Sequence, residues 1–272
     1  MRGTATMEDS DYSEINKTSW NSRVQAHLDS NFYDNASFLE GRCSLNEIEL
    51  KLLGDIKGKS ILHLQCHFGQ DTISLDRLGG DCLGIDFSNE AIDAAKEIAD
   101  ATNSKAKFLC CDVYTLPELV NEKFDMVFTS YGVLGWLPDM KQWANVVSNF
   151  LKPEGQLILV EFHPFLWMFD DNFKTIKYGY FNTGPIVETE TGTYADKNAP
   201  ITEEYVMWNH SIGEVMTGLL SNGLSIDSFE EFDYSPYNCF NETVRIGQDK
   251  YRIKHLDDKI PMVYSLVANN SR

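Results

Sequence analysis

The apolar residues of this chain fall into two rhythms. Between residues 60 and 162, short apolar runs, SILHLQ, DCLGIDF, AKFLCCDV, FDMVFTSYG and QLILVEF, are separated by stretches with three- and four-residue spacing. The runs read as five buried strands, and QDTISLDRL, SNEAIDAAKEIADA and MKQWANVVSNFL as the helices between them. Gly79 and Gly80 stop the first helix, Ser88 caps the second, and Pro153 and Gly155 mark the end of the third. Strand and helix in alternation predict an α/β fold: a mostly parallel, Rossmann-like sheet with helices on both faces.

The flanks follow other rules. Residues 1–11 read as a disordered tail and 12–56, with INKTSWNSRVQAHL, as an N-terminal helical cap. After the core at 57–162, residues 163–208 are rich in aromatics, Gly, Thr and Asn and lack long periodic segments. They predict an insertion or lid with a small hairpin near 175–180. Residues 209–272 supply a last helix, HSIGEVMTGLLSNG, and a strand pair, LSIDSFEEFD and MVYSLVA, joined by an irregular connection containing YSPYNCF. Residues 12–272 thus read as one domain.

Charge narrows the partners. The 272 residues carry 23 Lys and Arg against 41 Asp and Glu, a formal charge of −18. Such a surface repels phosphate backbones and anionic lipid, so neither nucleic acid nor membrane is expected as a partner. No stretch is apolar for the roughly 20 residues of a membrane span. The six cysteines form no CxxC pair and no metal-ligand spacing, and several sit in strand-like runs. Reduced buried thiols, no metal site and a cytoplasmic setting are expected, for a monomer or homodimer.

Candidate chemistry sits at the strand ends. In an open parallel sheet ligands bind beyond the carboxyl ends of the strands. After the first strand come Gln65, Cys66, His67, Phe68 and Gly69. Gly69 allows close passage of a ligand, and the N–H groups of Gln70 and Asp71 open the next helix toward it. Asp86 ends the second strand, followed by Phe87, where an acid can accept both ribose hydroxyls of an adenosine. Asp112 and Val113 follow the third strand, suited to an adenine amine and ring. Acids at matching ends of consecutive strands mean more together than singly.

With these residues the segment from about Lys59 to Pro164 resembles the core of a class I S-adenosylmethionine-dependent methyltransferase. The variant LHLQCHFGQD, with GIDFS, CDVY, FTSYGVLGWLPD and EFHP, looks like an uncharacterised bacterial branch of that family. The likeness extends to the N-terminal WN, to FYD at Phe32–Asp34 and to YSPYNCF. The family's usual acid and Gly-x-Gly-x-Gly become His63, Gln65, His67 and Gly69. The resemblance implies a seven-stranded sheet with an antiparallel last strand, and S-adenosylmethionine as cofactor. Residues 66–69 would pass its methionine part, Asp86 its ribose, and Phe87, Asp112 and Val113 its adenine. Ser130 and Tyr131 would face the methyl donor, and Trp20, Arg23 and Tyr33 would close over it, with Arg23 on its carboxylate.

The acceptor side offers His163, at the end of the fifth strand, as a base for an oxygen or nitrogen nucleophile, and Tyr131 beside it. His163 reads equally as a backbone-bonding group at the Pro164 turn. Tyr131, Trp136, Tyr178, Tyr180, Tyr234 and Tyr237 are candidate aromatic walls. FTSYGVLGW replaces the NPPY-like tetrapeptide of amine methylation, which favours a small-molecule acceptor. Two rivals stand beside methyl transfer: a non-catalytic module that binds S-adenosylmethionine or its product, and an NAD-dependent oxidoreductase. The oxidoreductase lacks the G-x-G-x-x-G its pyrophosphate needs.

Overall fold

A computed structural model describes residues 9–271. The expected tail lies outside the described residues up to residue 8. Residues 9–11 instead open the first helix, α1 (Asp9–Leu28). Two short helices, α2 (Asn35–Leu39) and α3 (Glu47–Leu53), complete the N-terminal cap. The core then runs β1 (Ser60–Leu64), α4 (Gln70–Arg77), β2 (Asp81–Asp86), α5 (Asn89–Ala101), β3 (Lys107–Cys110), α6 (Leu116–Leu119), β4 (Phe124–Ser130), α7 (Met140–Phe150) and β5 (Leu151–Phe162). An insertion carries the hairpin β6 (Ile186–Thr191) and β7 (Thr202–Met207). It is followed by α8 (Ile212–Ser221), β8 (Leu224–Phe232), a second hairpin of β9 (Thr243–Gly247) and β10 (Lys250–Ile253), and β11 (Val263–Asn270).

Seven strands form one sheet in the order β3-β2-β1-β4-β5-β11-β8, with β11 antiparallel to both neighbours. The sequence reading of the sheet holds. β1 lies at its centre, with Ile61 beside Cys82 of β2 and Met126 of β4. Because helices cover both faces, β1 alternates in direction but not in polarity, and Ile61 to Leu64 are all buried. On one face Trp143, Val147 and Phe150 of α7, spaced four and three residues apart, pack onto the strands. α8 lies close against α7 because Gly218 carries no side chain: a Cβ there would meet the Met140 carbonyl oxygen at 2.9 Å. Each such buried side chain contributes about 1.5–3 kcal/mol.

Three local expectations give way. No hairpin forms near 175–180, where only Phe169 and Ile176 bridge. The insertion's hairpin is β6–β7, whose alternating half-buried pattern was hidden in a Thr- and Glu-rich stretch. The connection around YSPYNCF is not wholly irregular, since β9 and β10 pair within it. β5 also begins at Leu151, earlier than Pro153 and Gly155 suggest. Lys152 and Pro153 extend the strand at its solvated end, where Phe124 pairs with Leu151 before a register shift.

The hairpin β6–β7 is tied to α1. The Asn16 amide donates to the Val206 carbonyl at 2.8 Å and its oxygen accepts the Val206 N–H at 2.8 Å. The cap and the insertion therefore meet across the carboxyl ends of the central strands.

Candidate active site

The loop from β1 to α4 sets the floor of the site. Gln65, His67 and Gly69 have φ of 55°, 50° and 80°, all left-handed. Two of these are not glycines, and each costs about 1–2 kcal/mol in that conformation. The backbone thus keeps a path suited to glycine at the positions where the resemblance places glycines. Side chains hold it there. The Gln65 amide donates to the Val133 carbonyl at 2.9 Å, and the His67 N–H donates to the Asp86 carboxylate at 2.9 Å. At position 69 no side chain is possible, because a Cβ would lie 2.6 Å from the Phe108 ring.

Asp86 is 8% exposed, and it accepts the Ser88 N–H as well as that of His67. Burial pushes its carboxyl up to about 6, and the backbone N–H groups pull the other way. His63, at the position of the family's usual acid, is buried and bonded to Thr72 Oγ1 at 2.8 Å. Burial holds it down at about 3, so it carries no charge. His67 and His27 share one hydrogen bond, 2.9 Å between ring nitrogens, and burial keeps both neutral.

Above this loop lies a cavity of about 660 Å³, within the range of small-molecule sites. Of the residues expected there, Gln65, Cys66, His67, Gly69, Asp71 and Asp86 line it. So do Phe87, Ser130, Tyr131, Trp20 and Tyr33. Asp112 and Val113 do not. They border a separate narrow cleft of about 30 Å³, where Tyr12 and Asn16 of α1 lie over them. Asp86 and Phe87 belong to both spaces, so the expected adenosine path is continuous in residues but pinched in width.

His163 stands elsewhere. Its Nε2 lies 3.0 Å from a Glu231 oxygen, its Nδ1 accepts the Phe165 N–H at 3.1 Å, and it lines neither space. Both ring nitrogens are engaged at the turn after β5, and the residue stands outside the cavity. The neighbouring Glu161 is also architectural. Fully enclosed, it accepts N–H groups from Gly132, Val133 at 2.8 Å and Leu134 at 3.0 Å, fixing the loop after β4.

That loop presents Tyr131, with φ of 32°, to the cavity. Its hydroxyl donates to Glu49 of α3 at 2.9 Å. Glu49 is wholly buried, and burial, then the charge of Asp71, push it up to about 7. Nothing local to Glu49 announces this pairing, and the same carboxylate also closes a capping box with Asn46 at the start of α3. Arg23 is 2% exposed, paired with Glu190 at 3.2 Å and stacked among the rings of Trp20, Trp136 and Tyr205. Of the aromatic candidates, Trp136 and Tyr237 line the cavity with Tyr131, whereas Tyr178, Tyr180 and Tyr234 do not. The far wall comes instead from Phe162, Trp167, Phe173, Tyr194 and Phe240.

Residues 61–155 match the family described as Methyltransferase domain. That match covers the strands and helices of the parallel core. The methyltransferase fold extends over the rest of the chain. A solved S-adenosylmethionine-dependent methyltransferase from Mesorhizobium loti aligns over 85% of this chain and 99% of its own, with TM-score 0.59 and 21% identity. One from Clostridium acetobutylicum aligns over 94% and 99%, with TM-score 0.57 and 16% identity. Among curated relatives, demethylmenaquinone methyltransferase of Lactococcus lactis is 30% identical over 46% of this chain and 51% of its own. A ubiquinone biosynthesis O-methyltransferase of Coxiella burnetii is 27% identical over 49% and 55%. The chain spans about half the length of these relatives.

Proposed function

We propose that this methyltransferase core moves a methyl group from S-adenosylmethionine to a small, ring-bearing apolar acceptor by in-line displacement. The observation that carries the reading is the left-handed loop at Gln65, His67 and Gly69, opening on the cavity beside Asp86. The residues fit such a cofactor. Asp86 has acceptor capacity left after two backbone N–H bonds, because a carboxylate offers about four lone-pair sites. Phe87 stands beside it for the purine, with Asp112 and Val113 at the pinched end. A purine needs more room than that cleft has, so the N-terminal half of α1 must lift from Asp112 for loading. Arg23, which lines the cavity and pairs with Glu190, would share its guanidinium with the cofactor's carboxylate.

The cofactor supplies an activated methyl on sulfur, so the protein needs mainly to align the nucleophile and exclude water. The aromatic far wall, with Phe162, Trp167 and Phe240, suits a planar apolar acceptor, in keeping with the quinone-precursor enzymes among its relatives. Tyr131 with Glu49 behind it offers a proton acceptor for a hydroxyl nucleophile. Among the described residues no helix is long and apolar enough to cross a membrane. We read the protein as a cytoplasmic monomer or homodimer that acts on no nucleic acid. The test is turnover: the protein is incubated with methyl-labelled S-adenosylmethionine and a panel of ring hydroxyl compounds, and labelled product is sought. Binding of the cofactor with no transfer to any acceptor would favour the non-catalytic binding module instead.

A further inference from the structure

The wall of the cavity holds an enclosed acid, Asp71, with no cation paired to it among the described residues. Asp71, in the first turn of α4, turns its carboxylate toward Ser44 and Ser130, whose hydroxyls donate at 2.6 and 3.2 Å. Both donors are neutral. A helix N-terminus favours an acid at its surface, but this one lines the cavity. Of the other acids of the lining, Asp171 is exposed to solvent and the rest hold partners. Asp86 holds the His67 and Ser88 N–H groups, Glu190 pairs with Arg23, and Glu188 pairs with Lys177. Asp170 serves Lys174 and Thr175 in its own loop. The nearest cationic influence on Asp71 is Arg42, which lies beside Asp34 and donates to the Tyr33 carbonyl. Nearby, Glu49 adds a second carboxyl, and the phenols of Tyr33, Tyr131 and Tyr237 surround the pair without any positive charge.

We infer that Asp71, cradled by Ser44 and Ser130, accepts the ammonium group of the cofactor's amino-acid end. The inference rests on reading the cavity as a S-adenosylmethionine site. His63, neutral and turned to Thr72, leaves that task open on β1. Asp71 has two hydroxyl donors and about two further acceptor positions, enough for a charge-assisted bond to an ammonium. A ligand cation also stabilises the carboxylate form that burial disfavours in this wall, since burial pushes both Asp71 and Glu49 up. Asp71 is thereby a binding and positioning residue. By fixing the amino-acid end it sets where the sulfur, and so the methyl, lies relative to Tyr131.

The test compares two ligands that share the nucleoside. S-adenosylhomocysteine carries the ammonium, and 5′-methylthioadenosine lacks the whole amino-acid end. Calorimetric titration of the full chain and of Asp71→Asn with both is expected to show about a 10- to 100-fold loss for S-adenosylhomocysteine in the variant, the scale of a hydrogen bond to a charged group. Affinity for 5′-methylthioadenosine is expected to stay within about threefold. Unchanged S-adenosylhomocysteine affinity overturns the assignment. Equal losses for both ligands overturn it too, because Asp71 would then only shape the loop. If the parent chain binds neither ligand, the cofactor reading itself falls. Thermal melting guards against misfolding: the ligand-free variant is expected to melt no lower than the parent, since an unanswered charge is removed. Ser44→Ala and Ser130→Ala are expected to give smaller losses of the same selectivity, and a loss that does not discriminate between the ligands counts against the cradle.

Discussion

Glu49→Gln puts a number on the buried acid wall. The Glu49 carboxyl is wholly enclosed, with Asn46 on one oxygen and the Tyr131 hydroxyl on the other. Burial, followed by the charge of Asp71, raises it from the ordinary 4.5 to about 7 in the folded protein. A group raised on folding supports the fold fully below its unfolded value and loses that support as pH climbs through its folded value. The window therefore runs from about 4.5 to about 7. At roughly 1.4 kcal/mol per pH unit the whole swing is about 3 kcal/mol, of which about 2 kcal/mol falls between pH 5.5 and pH 8. Gln keeps the size and an acceptor oxygen but cannot ionise. Urea unfolding of parent and variant at those two pH values, followed by far-UV circular dichroism, isolates the residue, because Asp86 titrates in both. The parent is expected to lose about 2 kcal/mol more than Glu49→Gln over that interval, or roughly 4–8 °C in melting temperature. Parallel losses would refute the claim that Glu49 is held as a high-pKa acid against Tyr131.

Two further outcomes follow from the geometry. Gly69→Ala forces a left-handed alanine and sets its Cβ 2.6 Å from Phe108, so a loss of about 2–5 kcal/mol is expected in chemical unfolding, together with weakened S-adenosylhomocysteine binding. Asn16→Ala removes both bonds between α1 and Val206. With the pinched cleft freed, stopped-flow association of S-adenosylhomocysteine is expected to quicken while hydrogen exchange rises in β6 and β7. An unchanged association rate would show that α1 does not limit entry.

How much of this was legible in the sequence depends on how far each signal reaches. The alternation from Ser60 to Phe162 reports local burial, and it places β1 to β5 and their helices to within a few residues. The acids ending β2 and β3 are likewise local, and Asp86 faces the cavity as expected. What the sequence does not show depends on distant contacts. His163 ends β5 as expected, but Glu231 of β8 takes its Nε2, and nothing near residue 163 announces that partner. Glu49 meets Tyr131, 82 residues away, only once the cap docks on the core. Asp112 and Val113 follow β3 as foreseen, yet α1 lies over them, an effect of how the cap docks. The hairpin β6–β7 was missed because its half-buried residues alternate with Glu and Thr, a pattern that composition alone reads as loop.

The left-handed Gln65 and His67 show the converse case. Their residue types argue against a close backbone path, and tertiary bonds from Val133 and Asp86 impose it nevertheless. The loop's backbone takes a glycine-like path at two positions that are not glycine, and it opens on the cavity where a nucleoside would lie.

Calorimetric titration with S-adenosylhomocysteine tests that most directly, with NAD as control and Asp86→Ala beside the parent. The account predicts micromolar binding of S-adenosylhomocysteine by the parent, loss of that binding in Asp86→Ala, and no binding of NAD, whose pyrophosphate would face the carboxylates of Asp71 and Asp86. Absence of S-adenosylhomocysteine binding, or tighter binding of NAD, would contradict it.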